Sequence, residues 1–179
     1  NMLKEKGVPT LIFINKMDRL GADYQRVLDE IKTKLDSRVI PKIIVEQDES
    51  VKGGLIYKIP STEEIIETLA DLDSSIMDKY VNNEQMSNEY LEEKIKELAL
   101  NGSLFCVYGG SALLDEGMKY LIDAMDKYLP TFTPAKTDDY SGYVYTVKRE
   151  NEVRELYVKM LSGQIENREE IPTQDGKAE

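Results

Sequence analysis

Residues 11–18, Leu11-Ile12-Phe13-Ile14-Asn15-Lys16-Met17-Asp18, decide how the rest of the chain is read. Four apolar residues give way abruptly to polar ones. Such a run reads as a buried strand of a parallel sheet that delivers a loop at its C-terminal edge. Open α/β sheets bind their ligands at that edge. The chemistry of Asn-Lys-x-Asp fits a guanine base. Guanine presents two adjacent donors, the ring N1–H and the exocyclic amino group, and a carboxylate is an acceptor-only fork. Asp18 can therefore take both hydrogen bonds at once. Adenine offers an acceptor at N1 and is repelled by the same carboxylate. Asn15 carries a donor and an acceptor, enough to reach the N7/O6 side while tying the loop to its neighbours. The alkyl stem of Lys16 can lie along the base face and leave its ammonium at the ribose or a loop carbonyl.

A second strand-and-loop unit lies downstream. The apolar run Leu104-Phe105-Cys106-Val107-Tyr108 leads through two glycines to Ser111 and Ala112. Small residues there let the backbone approach a ligand, and the Ala112 N–H is placed to donate to guanine O6, with Ser111 closing the far side of the base. Ser-Ala alone carries no information. Behind Asn-Lys-x-Asp, in that order and after a second strand, it does.

These two stretches, PTLIFINKMDRLGAD and YGGSALLDEGMKYLIDAMDKYLP, resemble the translational GTPases of the elongation factor G class, to which the ribosomal-protection tetracycline-resistance proteins belong. The resemblance extends over essentially the whole chain. It implies the C-terminal half of a P-loop GTPase-type, doubly wound α/β domain with a short insertion, followed by the first strands of an all-β barrel. It also implies GTP or GDP as ligand, the ribosome as partner of the intact protein, and a cytoplasmic location. The expected layout is a partial GTP-binding domain over 1–130 with an insertion at about 39–103, a linker over 131–138, and a truncated barrel over 139–179.

Composition sets bounds on this reading. Lys and Arg number 23 against 34 Asp and Glu, a formal charge of −11, which argues against binding naked nucleic acid. The single cysteine, Cys106, sits in an apolar run, so a core role is expected. There is no histidine, which removes His-based acid–base chemistry and His-ligated metal sites. No apolar run is long enough for a membrane span, and no membrane partner is expected.

Along the chain, Tyr24, Val27, Leu28, Ile31 and Leu35 recur at helical spacing, predicting an amphipathic helix from Asp23, its N-cap, to about Asp36. Val39–Val45 and Leu55–Ile59 read as two strands of a hairpin around Gly53-Gly54, with Pro41 on an edge. Ser61-Thr62-Glu63-Glu64 matches a capping box that opens a helix facing inward through Ile65, Ile66, Leu69 and Leu72. A further helix carries Ile76, Met77 and Tyr80. Another is capped by Ser87, buries Leu91, Ile95, Leu98 and Ala99, and ends at Gly102. Gly117 precedes a last helix with Leu121, Ile122, Met125 and Leu129, stopped by Pro130. Thr131–Asp138 has linker composition. Beyond it, Tyr143–Arg149 and Val153–Leu161 are β-rich runs across a turn at Glu150-Asn151, Ser162-Gly163 starts another turn, and Asn167 is a position for φ > 0. About three strands are expected in this part, too few to close a barrel.

Phosphoryl transfer needs a phosphate-cradling loop, a magnesium ligand and a group to position water. Neither Gly-x4-Gly-Lys-Ser/Thr nor Asp-x-x-Gly-His occurs in the 179 residues. In the family these motifs precede the strand at Leu11, so the expectation is an excised piece of a longer GTPase. It would read the base through Asn15, Lys16, Asp18, Ser111 and Ala112, hold no metal and catalyse nothing alone; magnesium belongs to the intact parent. The other reading is a non-catalytic adaptor that keeps a vestigial guanine pocket. Whether the parent acts in elongation or in ribosomal protection stays open. Without the strand that flanks Leu11–Ile14 in the family, the open edge is expected to favour self-association.

Overall fold

A computed structural model describes residues 2–131, 135–137, 139–150, 153–169, 171–173 and 176–178. The chain divides into two compact units, Asn1–Pro130 and Thr131–Glu179.

The first unit is organised on a three-stranded parallel sheet. Its strands are β1 (Leu11–Ile14), β2 (Val39–Pro41) and β5 (Phe105–Gly109), in the order β1-β5-β2. Leu11 pairs with Cys106 and Ile14 with Gly109, while Val39 pairs with Phe105. Every residue of β5 is buried, as a central parallel strand covered on both faces requires. Cys106 is fully buried, and burial pushes its thiol up to about 12, so it is a packing residue. Among the described residues β1 pairs with β5 alone, which leaves its outer edge without a strand.

Helices clothe the sheet. The short α1 (Met2–Glu5) precedes β1. Helix α2 (Tyr24–Lys34) follows the first loop; Asp23 caps it by accepting from the Arg26 N–H at 3.0 Å. Tyr24, Leu28 and Ile31 face inward with Val39, Val45 and Val107, but Leu35 is a largely exposed C-cap. Helices α3 (Thr62–Ala70), α4 (Ser74–Val81) and α5 (Asn88–Leu100) are N-capped by Ser61, Asp73 and Ser87. With α6 (Met118–Tyr128) they build the other core, around Leu69, Ile76, Leu91, Ile95 and Tyr128. The inward stripe of α6 is Leu121, Ala124 and Tyr128, whereas Ile122 and Met125 are exposed. The apolar letters at 122 and 125 point to the wrong stripe, because the tyrosine at 128 takes the core position.

The predicted hairpin is also corrected. Val39–Val45 is two elements: Val39–Pro41 joins the parallel sheet on its edge, and the chain then enters β3 (Ile44–Asp48). Strand β3 pairs antiparallel with β4 (Gly54–Lys58), and Ile59 lies outside it, exposed. A mostly apolar run, interrupted only by Lys42, hides this break, since parallel and antiparallel partners are chosen by distant segments.

In the second unit β6 (Ser141–Glu150) pairs antiparallel with β7 (Val153–Ser162), and β8 (Ile171–Thr173) with β9 (Gly176–Ala178). Among the described residues of this unit there are four strands, against about three expected. The left-handed residue beyond Gly163 is Arg168 (φ 67°), not Asn167. Pro134 and Asp138 of the expected linker, and Asn151 of the expected turn, lie outside the described residues.

Candidate functional site: two loops at the sheet's C-terminal edge

Parallel neighbours release their loops on the same side, so β1 and β5 bring Asn15–Asp18 beside Gly110–Gly117. The ladder continues past the strands: Gly110 N–H donates to Ile14 O at 3.0 Å, and Met17 N–H to Gly110 O at 3.0 Å. One side chain then crosses between the loops. Asn15 Oδ1 accepts from its neighbour Lys16 N–H at 2.7 Å and from Ala112 N–H at 3.0 Å, 97 residues away. The amide that sequence assigns to guanine O6 is thus engaged by Asn15.

Lys16 occupies the left-handed region at φ 65°. A residue with a Cβ holds that conformation at a cost of about 1–3 kcal/mol unless its surroundings impose it. Here the hydrogen bond to Asn15 and the Arg19 N–H to Lys16 O bond (3.2 Å) impose it. The turn leaves Lys16 exposed, buries Met17, and sets Asp18 half-buried. Among the described residues no hydrogen bond or ion pair engages the Asp18 carboxylate. It lines a cavity of about 480 Å³ whose other wall is the β3–β4 turn from Gln47 to Gly54.

The second loop is held by backbone. Ser111 and Glu116 exchange N–H···O bonds of 2.9 Å each, closing a small ring, and Ser111 is buried. The glycines before it and after it have no room for a side chain. A Cβ at Gly110 would lie 2.1 Å from Glu116 O, and one at Gly117 2.4 Å from Gly109 O.

Gln47, Tyr57, Glu116 and Tyr120, unremarked in the sequence, also hold this site. Gln47 Nε2 donates to Met17 O at 3.0 Å and to Arg19 O at 2.5 Å. Tyr57 OH donates to Glu116 Oε2 at 3.1 Å, and its ring lies 5.4 Å from that of Tyr120. Burial, and after it the Glu116 carboxylate, pushes the Tyr57 phenol above its ordinary value, which keeps it a donor. A polar residue at an inward strand position is the signal that could have exposed Gln47, but it is readable only once β3 is correctly bounded.

The arrangement offers an acceptor fork at Asp18 with no hydrogen-bond partner among the described residues, an Ala112 amide held by Asn15, and an exposed Lys16 side chain. Among the described residues no group of three or more Cys, Asp or Glu side chains could hold a metal ion.

Comparison with known proteins shows the family. Residues 1–131 match the elongation factor Tu GTP binding domain family. The chain is 33% identical over 175 residues to the tetracycline resistance protein TetP of Clostridium perfringens, covering 94% of this chain and 26% of that protein. A crystal structure of a protein from Thermus thermophilus superposes with a TM-score of 0.70 at 17% identity, over 98% of this chain and 30% of that one, a likeness of fold.

Proposed function

The chain belongs to the elongation factor Tu GTP binding domain family, and on that premise we propose that it is the guanine-recognition portion of a ribosome-associated translational GTPase of the elongation factor G or ribosomal-protection type, acting in the cytoplasm. The observation that carries this reading is the Asn15 bridge. One side chain joins the two loops at hydrogen-bond distance and leaves Asp18 unengaged beside a cavity. Asp18 accepts from guanine N1–H and the amino group, Lys16 covers the base face, and Ser111 and Ala112 close the O6 side. GTP hydrolysis belongs to a longer protein that also carries the phosphate loop and magnesium ligands, and the chain spans only 26% of the length of the curated relative it matches.

Base contacts alone give weak binding, with Kd on the order of millimolar, since a few hydrogen bonds and one covered face leave a net of about 4 kcal/mol. The test is a nuclear magnetic resonance titration of the chain with GMP and AMP, following the Lys16 and Ala112 amides. Shifts that grow with GMP and not with AMP are expected. Equal responses to both nucleotides remove the reading. The unpaired outer edge of β1 also favours pairing with a second copy; sedimentation velocity should show a concentration-dependent dimer, and a single monomer boundary at all concentrations contradicts it.

A further inference from the structure

The β3–β4 hairpin places one face across both loops. Side chains alternate along a strand, so Val45 and Gln47 share a face, and the register puts Tyr57 and Leu55 opposite them on that same face. Val45 is buried, and Gln47, Leu55 and Tyr57 are partly buried, whereas Glu46, Ile56 and Lys58 are exposed, with Glu46 and Lys58 paired at 2.5 Å. The inward face carries two polar anchors, one for each loop. Gln47 bonds the carbonyls of Met17 and Arg19, which flank Asp18 on either side. Tyr57 bonds Glu116, whose backbone closes the Ser111 loop. No hydrogen bond among the described residues points the Asp18 carboxylate, so its direction follows the backbone that carries it, and Gln47 holds that backbone at the peptide entering Asp18 and at the one leaving Arg19.

We propose that the β3–β4 hairpin is the brace that sets the spacing of the two base-reading loops, with Gln47 and Tyr57 as its positioning residues. Gln47 aims Asp18 at guanine's amino group, and Tyr57 holds the Ser111–Glu116 ring against Asn15. Neither touches the base. This inference rests on the guanine reading above.

The test uses the whole chain, with the initial slope of the Lys16 and Ala112 amide shifts against nucleotide concentration as the measure of affinity. Gln47→Met keeps the length and removes both donated bonds; Tyr57→Phe removes one oxygen. Each is expected to lower the GMP slope about five- to tenfold, the effect of one net hydrogen bond. Inosine monophosphate lacks the amino group that Asp18 reads, so the ratio of GMP to IMP slopes should fall toward one in Gln47→Met. A general loss of folding would lower both slopes together. Glu116→Gln keeps an acceptor for the Tyr57 hydroxyl and should lower the GMP slope less than Tyr57→Phe does. Tyr57→Phe reports even if Gln47→Met fails to fold. Unaltered GMP slopes in the folded variants, with an unaltered GMP-to-IMP ratio, overturn the brace. Failure of the unaltered chain to distinguish GMP from AMP overturns instead the guanine reading on which it rests.

Discussion

The two loops at the C-terminal edge of the sheet do related work by opposite means. The loop after β1 presents side chains: Asp18 is unengaged, Lys16 is exposed in a left-handed turn, and Asn15 reaches across to its neighbour. The loop after β5 presents backbone. Its glycines leave no room for a Cβ, and Ser111 and Glu116 lock it by mutual main-chain bonds. The difference teaches where each loop tolerates change. A side-chain reader can be altered in specificity with its fold intact, because the altered atoms face a cavity. A backbone reader cannot, since its recognition group is the fold itself.

The largest effect should come from Asp18→Asn. One acceptor of the fork becomes a donor that faces guanine's amino donors, and a charge-assisted contact is lost, at a cost of about 2–4 kcal/mol. The same amide can pair with the carbonyl that xanthine carries at that position. Titration should show the GMP response vanish and a response to xanthosine monophosphate emerge, with thermal stability unchanged. Retained GMP preference would mean that Asp18 does not read the base.

Gly110→Ala breaks the other loop in the other way. The new Cβ would meet the Glu116 carbonyl at 2.1 Å, so the ring must open, costing about 1–3 kcal/mol of stability. Thermal denaturation should register the loss, and the GMP response should fall with no response to xanthosine monophosphate emerging. A shift in preference without a loss of stability would erase the contrast between the loops.

Asn15 belongs to both, and its variants sharpen the comparison. Asn15→Ala strips the acceptor from the Lys16 and Ala112 amides and should weaken GMP about tenfold, or about 1.4 kcal/mol. Asn15→Asp keeps that acceptor, replaces the amide donor with a second oxygen and adds a negative charge, so the Ala112 amide should stay protected from hydrogen exchange while GMP weakens. Loss of that protection in Asn15→Asp would show that the bridge needs more than the acceptor.

The smallest effect on the site is expected from Glu92→Gln, on the helical side of the sheet. Glu92 receives Lys42 and Lys127 at 2.8 Å each, and the Tyr128 hydroxyl. Burial alone raises its carboxyl, but these partners outweigh burial and bring it down to about 2. A lowered carboxyl contributes stability above the ordinary glutamate range that is lost as pH falls from about 4.5 toward 2. Glu92→Gln should therefore cost about 1–3 kcal/mol near neutral pH, less than a fully buried pair because the cluster is partly solvated. It should also flatten acid denaturation across that window, with the ratio of GMP to AMP responses unchanged. A changed ratio would tie base reading to the helical core.

Local chemistry by itself determined much of this. Four apolar letters before Asn15 specified a buried strand, the capping residues Asp23, Ser61 and Ser87 set helix starts, and the order Asn-Lys-x-Asp then Ser-Ala pointed to a guanine base. These signals are short-range, so a single sequence displays them. What tertiary structure decided is every choice made by a distant partner. It split Val39–Val45 between two sheets, because β5 competes with β4 for neighbouring stretches of the chain. It turned α6 so that Tyr128 reaches Glu92 and Ile122 faces out. And it brought Gln47 to the carbonyls beside Asp18, a contact across 28 and 30 residues that no local pattern encodes, because a glutamine amide bonds whichever carbonyl the fold presents to it.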